Sequence, residues 1–101
     1  MKTLNLATLD FGKEVEQEWK KAGLNYSPTE VFKNVFKIAA NKTFERGATL
    51  EQQRLYSNIV NNIKPEMEFS DDEYKFLTQA FKESQLPLSY SEVLLKIDSI
   101  L

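Results

Sequence analysis

Phe69-Ser-Asp-Asp-Glu-Tyr-Lys-Phe-Leu-Thr-Gln-Ala-Phe81 is the stretch that decides how this chain reads. Ser70 stands three residues ahead of Glu73. Its hydroxyl and the Glu73 side chain therefore match the backbone N–H groups that a helix leaves unpaired at its start. Phe69 before the cap and Tyr74 inside the first turns supply an apolar staple. Tyr74, Leu77 and Phe81 then fall on one stripe, with Phe76 and Ala80 beside it, so the spacing predicts a helix over 71–83. The same Ser/Thr-x-x-Glu/Gln pattern heads three more apolar runs: Ser27-Pro-Thr-Glu30, Thr49-Leu-Glu-Gln52 and Ser89-Tyr-Ser-Glu92. Two of these carry staples as well, Tyr26 with Val31 and Leu88 with Val93.

Working outward, Pro28 suits a first helical position, where a missing N–H costs nothing. Val31, Phe32, Val35, Phe36, Ile38, Ala39, Ala40 and Phe44 give that helix a wide apolar arc, and Gly47 is the expected terminator, so it is read over 28–46. Leu55, Tyr56, Ile59, Val60 and Ile63 mark a helix over 50–63, closed by Pro65. A last helix near 90–100 carries Val93, Leu94, Ile97, Ile100 and Leu101. Its apolar end is expected to dock on this chain's core or on another chain. Toward the start, Phe11, Val15 and Trp19 suggest a helix near 11–22, stopped by Gly23, with Gly12 weakening its first turn. Residues 1–9, with Leu4 and Leu6 alternating, read as an extended arm or a short strand. The expectation is an all-α single domain over 1–101, a compact bundle of four to five short helices joined by short links.

Composition narrows the function. The 101 residues hold 42% hydrophobic and 28% charged side chains, ordinary for one globular domain. No run approaches the roughly 18 apolar residues of a membrane span. Cysteine is absent, which fits a reducing cytoplasm. Histidine is absent too, which removes the usual general base near neutral pH and the commonest transition-metal ligand. No catalytic residue, cofactor or metal ligand set is assigned, and the chain is read as a non-enzyme. The net charge of −2 argues against a general affinity for nucleic acid.

Three groups of residues are candidates for chemistry. Glu66, Glu68, Asp71, Asp72 and Glu73 lack the glycine and the ligand order of a calcium loop, and the last three are explained by a helix start, where each charge is worth about 0.3–1 kcal/mol. Lys33, Lys37, Lys42 and Arg46 form a basic face at helical spacing, interrupted by Glu30 and Glu45. It reads as a solvated surface before it reads as a phosphate-binding stripe. Trp19, on a highly charged helix, is the best single candidate for an anchor at a protein interface, with Val93, Ile97, Ile100 and Leu101 of the last helix beside it in rank.

The run from Thr49 to Leu101 resembles a layout found in small proteins encoded by bacteriophages and prophages. The similarity lies in Leu50-Glu-Gln-Gln-Arg-Leu-Tyr56, in Phe69-Ser-Asp-Asp-Glu-Tyr-Lys-Phe-Leu77 and in Leu86-Pro-Leu-Ser-Tyr90. It implies a virus-encoded accessory protein that works by binding a host or viral protein, and it transfers no site residue. In length and helix count the chain is also similar to bacteriocin immunity proteins. The expected function is a cytoplasmic protein-binding module, with a small homo-oligomeric assembly factor as the alternative and a weak nucleic-acid binder after it.

Overall fold

The computed structural model describes residues 2–101 and contains, in chain order, strand β1 (Lys2–Asn5), helix α1 (Lys13–Lys21), helix α2 (Pro28–Thr43), helix α3 (Leu50–Asn62), strand β2 (Glu66–Phe69), helix α4 (Asp71–Glu83) and helix α5 (Ser91–Asp98), the last preceded by a 3-10 turn at Leu88–Tyr90. The fold is mostly helical, and it corrects the all-α expectation by one element pair. β1 and β2 form an antiparallel two-stranded ribbon, with Lys2 opposite Phe69, Leu4 opposite Met67 and Asn5 opposite Glu66. The predicted arm thus becomes a strand within its first half, while Met1, its first residue, lies outside the described residues.

The ribbon exists because both strands alternate. Leu4, Met67 and Phe69 are buried, while Thr3, Glu66 and Glu68 face water. The Leu6 N–H extends the pairing by donating to the Pro65 carbonyl at 2.7 Å. Lys2 lies over the Tyr74 ring, 5.3 Å from its centre, and so ties the edge of the ribbon to the first turn of α4.

Two of the four expected capping boxes are complete. The Gln52 N–H donates to Thr49 Oγ1 at 3.1 Å and the Thr49 N–H to Gln52 Oε1 at 2.9 Å. The Glu73 N–H donates to Ser70 Oγ at 3.2 Å and the Ser70 N–H to Glu73 Oε1 at 2.8 Å. At Ser27 only one half forms, the Glu30 N–H donating to the Ser27 hydroxyl at 3.1 Å. The fourth box, at Ser89, does not form. Pro87 leads the chain into the 3-10 turn, α5 starts only at Ser91, and Ser91 Oγ donates to the Leu88 carbonyl. Leu88, the expected staple residue, is 89% exposed.

Helix ends also shift. Gly12 has φ 91° and caps α1 from outside, so Phe11 is buried in the extended segment before the helix. At the other end Gly23 (φ 76°) permits the paired bonds Gly23 N–H to Lys20 O and Leu24 N–H to Trp19 O, a Schellman stop. α2 ends at Thr43 and not at Arg46. Phe44 leaves the helix, its ring stacks on Phe76 at 5.0 Å, and Thr43 Oγ1 donates to the Ala80 carbonyl at 2.9 Å.

The core lies between α2, α3 and α4. Phe36 is fully buried, with ring centres of Tyr56, Phe76 and Phe81 at 5.8, 6.3 and 5.9 Å. Phe32 packs on Phe81 at 5.5 Å. The ribbon closes one side through Leu4, Met67 and Phe69, and α5 docks through Ile97. Phe32, Phe36, Phe76 and Phe81 are thus core, as their spacing suggested, and Leu86 packs down from its loop.

Two predictions come from this arrangement. Ser70→Ala should lower stability by about 1 kcal/mol while Ser89→Ala changes it by a few tenths at most, measured by urea denaturation. The Tyr26 hydroxyl is buried without a hydrogen-bond partner among the described residues. Tyr26→Phe should therefore raise stability, by roughly 1 kcal/mol, read as a higher thermal midpoint.

Candidate functional site

α1 is the one helix with no fully buried residue, although Val15 and Trp19 pack against the core from outside it. These two residues are four apart, so they share a stripe, and Glu14 and Glu18 form a parallel row beside them. Across from that stripe lie Val31, Asn34 and Val35 of α2, again at helical spacing. The 3-10 turn and the first residues of α5 close the third side with Leu88, Tyr90, Glu92 and Val93. Together these elements line an open groove of about 790 Å³.

Its floor is apolar and its rim is acidic. Val31 and Val35 are buried at the base, while Val15, Trp19 and Val93 are half-buried along the walls. Glu14, Glu18 and Glu92 stand at the mouth, and no Lys or Arg lines the groove. Among the described residues the ion pairs are Glu16 with Lys20, Glu45 with Lys42 and Glu51 with Arg54, so none of the three rim carboxylates has a cation within 4 Å. Glu14 and Glu18 sit at the like-charge spacing that costs a helix about 0.2–0.5 kcal/mol. Leu88 sits on the same rim with nearly its whole side chain in water.

Of the interface candidates, Trp19 and Val93 are therefore brought together in one groove. Ile97 is not with them. It is fully buried and holds α5 to the core, so it offers no surface to a partner. Ile100 and Leu101 are half-buried against this chain's own core, and Leu101 shares a shallow recess with Phe81, Leu94 and Leu95. The apolar end of the chain is thus docked at home. Leu95, 68% exposed, is the outward-facing apolar residue of α5.

The basic residues are not gathered. Lys33 is half-buried and Lys37 exposed on α2. Lys42 pairs with Glu45 at 3.3 Å on the surface, and Arg46 lies beyond the helix end. Because α2 stops at Thr43, Arg46 does not continue the Lys42 row. The acidic cluster is divided by the ribbon: Glu66 and Glu68 point outward from β2, and Asp71, Asp72 and Glu73 fill the first turn of α4. Among the described residues no group of three or more acidic side chains is placed to hold a metal ion.

A smaller cleft of about 390 Å³ opens at the far end of α2, lined by Phe44, Tyr56 and Phe76 with Asn41, Gln52 and Gln53. The three amides are each tied at one end to the backbone, Asn41 to Lys37 O, Gln53 to Ala48 O, and Gln52 by accepting from Thr49 N–H. They serve the helix ends first.

Glu92 is the residue whose place the sequence concealed. It read as the closing member of the Ser89 capping box. With that box unformed, its carboxylate is free to stand on the groove rim.

Compared with models of known families, with curated proteins and with solved structures, the chain matches none. No helix among the described residues is long and apolar enough to cross a membrane.

Placement separates the candidates in a measurable way. Ile97→Ala should cost about 2–5 kcal/mol, as for a buried aliphatic side chain, whereas Leu88→Ala should stay within about 0.5 kcal/mol of the parent. Chemical denaturation followed by circular dichroism reads both.

Proposed function

We propose that this chain is a non-enzymatic protein-binding module that engages a host or viral protein through the groove between α1, α2 and the head of α5. The observation that carries this reading is the convergence of Trp19 and Val93, from distant parts of the sequence, on one open groove with an apolar base, three carboxylates at its mouth that have no ion pair among the described residues, and an exposed leucine at its edge. An aromatic anchor that a partner would cover, set within a polar rim, is the usual anatomy of a binding hot spot. Seating of a partner there would occlude whatever surface that partner uses elsewhere. The resemblance of residues 49–101 to small phage and prophage proteins supports an accessory protein acting in the host cytoplasm.

The alternative of a homo-oligomeric assembly factor depends on the last helix. It has less support, because Ile97 is internal and Ile100 and Leu101 pack on their own chain. Nucleic-acid binding through Lys33, Lys37, Lys42 and Arg46 has less still, since those cations are dispersed and Lys42 is paired.

Affinity capture from lysate of cells that carry the gene, run in parallel with wild type, Trp19→Asp and Lys37→Ala/Arg46→Ala, tests the reading. A protein held by wild type and by the Lys37/Arg46 variant, and lost with Trp19→Asp, is the expected result, circular dichroism confirming that each variant is folded. Identical capture by all three would overturn it.

A further inference from the structure

We infer that the occupant of this groove is an amphipathic segment of a partner protein whose apolar side chains are flanked by Lys or Arg. The inference rests on the protein-binding reading and adds the chemistry of the partner. Three observations converge on it. The base at Val31 and Val35, with Val15, Trp19 and Val93 on the walls, favours apolar groups, while Asn34, Ser89, Tyr90 and Ser91 add polar lining beside them. The rim carries Glu14, Glu18 and Glu92 with no lining cation, so an approaching Lys or Arg finds carboxylates with no competing ion pair among the described residues. Glu14 and Glu18 are one helical turn apart and repel each other, and a cation seated between them removes that repulsion.

Leu88 strengthens the case from a separate direction. A leucine 89% exposed at the edge of an apolar groove is covered at no cost by an occupant that extends past the rim. The same charges argue against other occupants. A phosphate backbone or an acidic peptide meets three carboxylates at the mouth, and like charges facing one another across an interface are a means of exclusion. A second copy of this chain, net −2, would bring no excess of positive charge.

Trp19 is the sole tryptophan of the chain and lines the groove, so its emission reports occupancy directly. The probes are three tryptophan-free peptides of one helical apolar pattern, built of Leu with Lys, Leu with Gln, and Leu with Glu. The Leu/Lys peptide should shift Trp19 emission saturably, bind roughly tenfold or more tightly than the Leu/Gln peptide, and weaken as salt is raised. Glu14→Gln, Glu18→Gln and Glu92→Gln combined should abolish that preference, while Glu66→Gln with Glu68→Gln, a control on exposed β2 residues that do not line the groove, should leave it intact. Equal binding of the Lys and Glu peptides, or a preference that survives the triple change, would overturn the assigned chemistry and leave the groove as a binding site. No peptide perturbing Trp19 at all would overturn the groove itself. Light scattering that shows a dimer dissolved by Trp19→Asp would place a second copy there and also overturn the inference.

Discussion

Burial of the Phe36 ring between α3 and α4 is the constraint on which the rest of the structure depends. From one position on α2 it meets Tyr56 of α3 and both Phe76 and Phe81 of α4. Stacked, tilted and edge-on ring packing of this kind is directional, so it sets how the three helices face each other as well as how closely they approach. Thr43 and Ala80 fix the same pair of helices at the far end with a hydrogen bond. The remaining elements are laid against this three-helix core. The ribbon covers one side with Leu4, Met67 and Phe69, α5 adds Ile97, and α1 contributes no buried side chain of its own. That gradient from centre to edge is what leaves a groove under α1.

Much of the helical frame was legible because its signals are local. Thr49 and Ser70 cap as their spacing implied, Pro28 opens α2, and Gly23 stops α1 with the expected pair of bonds. The failures are equally physical. At Ser89 the box pattern is present, but Pro87 commits the next three residues to a tighter turn, and the helix begins after the serine has been used up. At Glu66-Met67-Glu68-Phe69 the alternation is there to be read. Its partner is roughly sixty residues upstream, though, and no local periodicity points to it. Helix-start chemistry accounts for Asp71–Glu73, while Glu66 and Glu68 lie on the strand before them, a place that their charge does not signal.

The site was legible in its anchor and not in its shape. Trp19 stood out as an aromatic among charges, and its half-buried place on α1 suits an anchor. Val93 is apolar and at helical spacing, but nothing in the sequence signals that it meets Trp19. Ile97, ranked beside Val93, is four residues away and on the same helical side, yet one lies at the helix head over the groove and the other is sealed beneath α5. Sequence spacing gives the stripe, and only packing says which end of the stripe is covered. The rim carboxylates were invisible for a similar reason. Glu14 and Glu18 look like ordinary dipole partners of a first turn and a solvated face, and Glu92 looked spoken for.

The pairing of β1 with β2 bears on the order of events during synthesis. Lys2 meets Phe69 across most of the chain, and closing so long a loop sets an entropic toll that grows with the logarithm of its length. The Phe36 contacts with Tyr56 and Phe76 span fewer residues and can form first. On a ribosome β1 emerges about sixty residues ahead of β2, and it has no strand to pair with until residues 66–69 have cleared the exit tunnel. The earlier strand therefore settles late, and Leu4 and Leu6 wait for their cover over that interval.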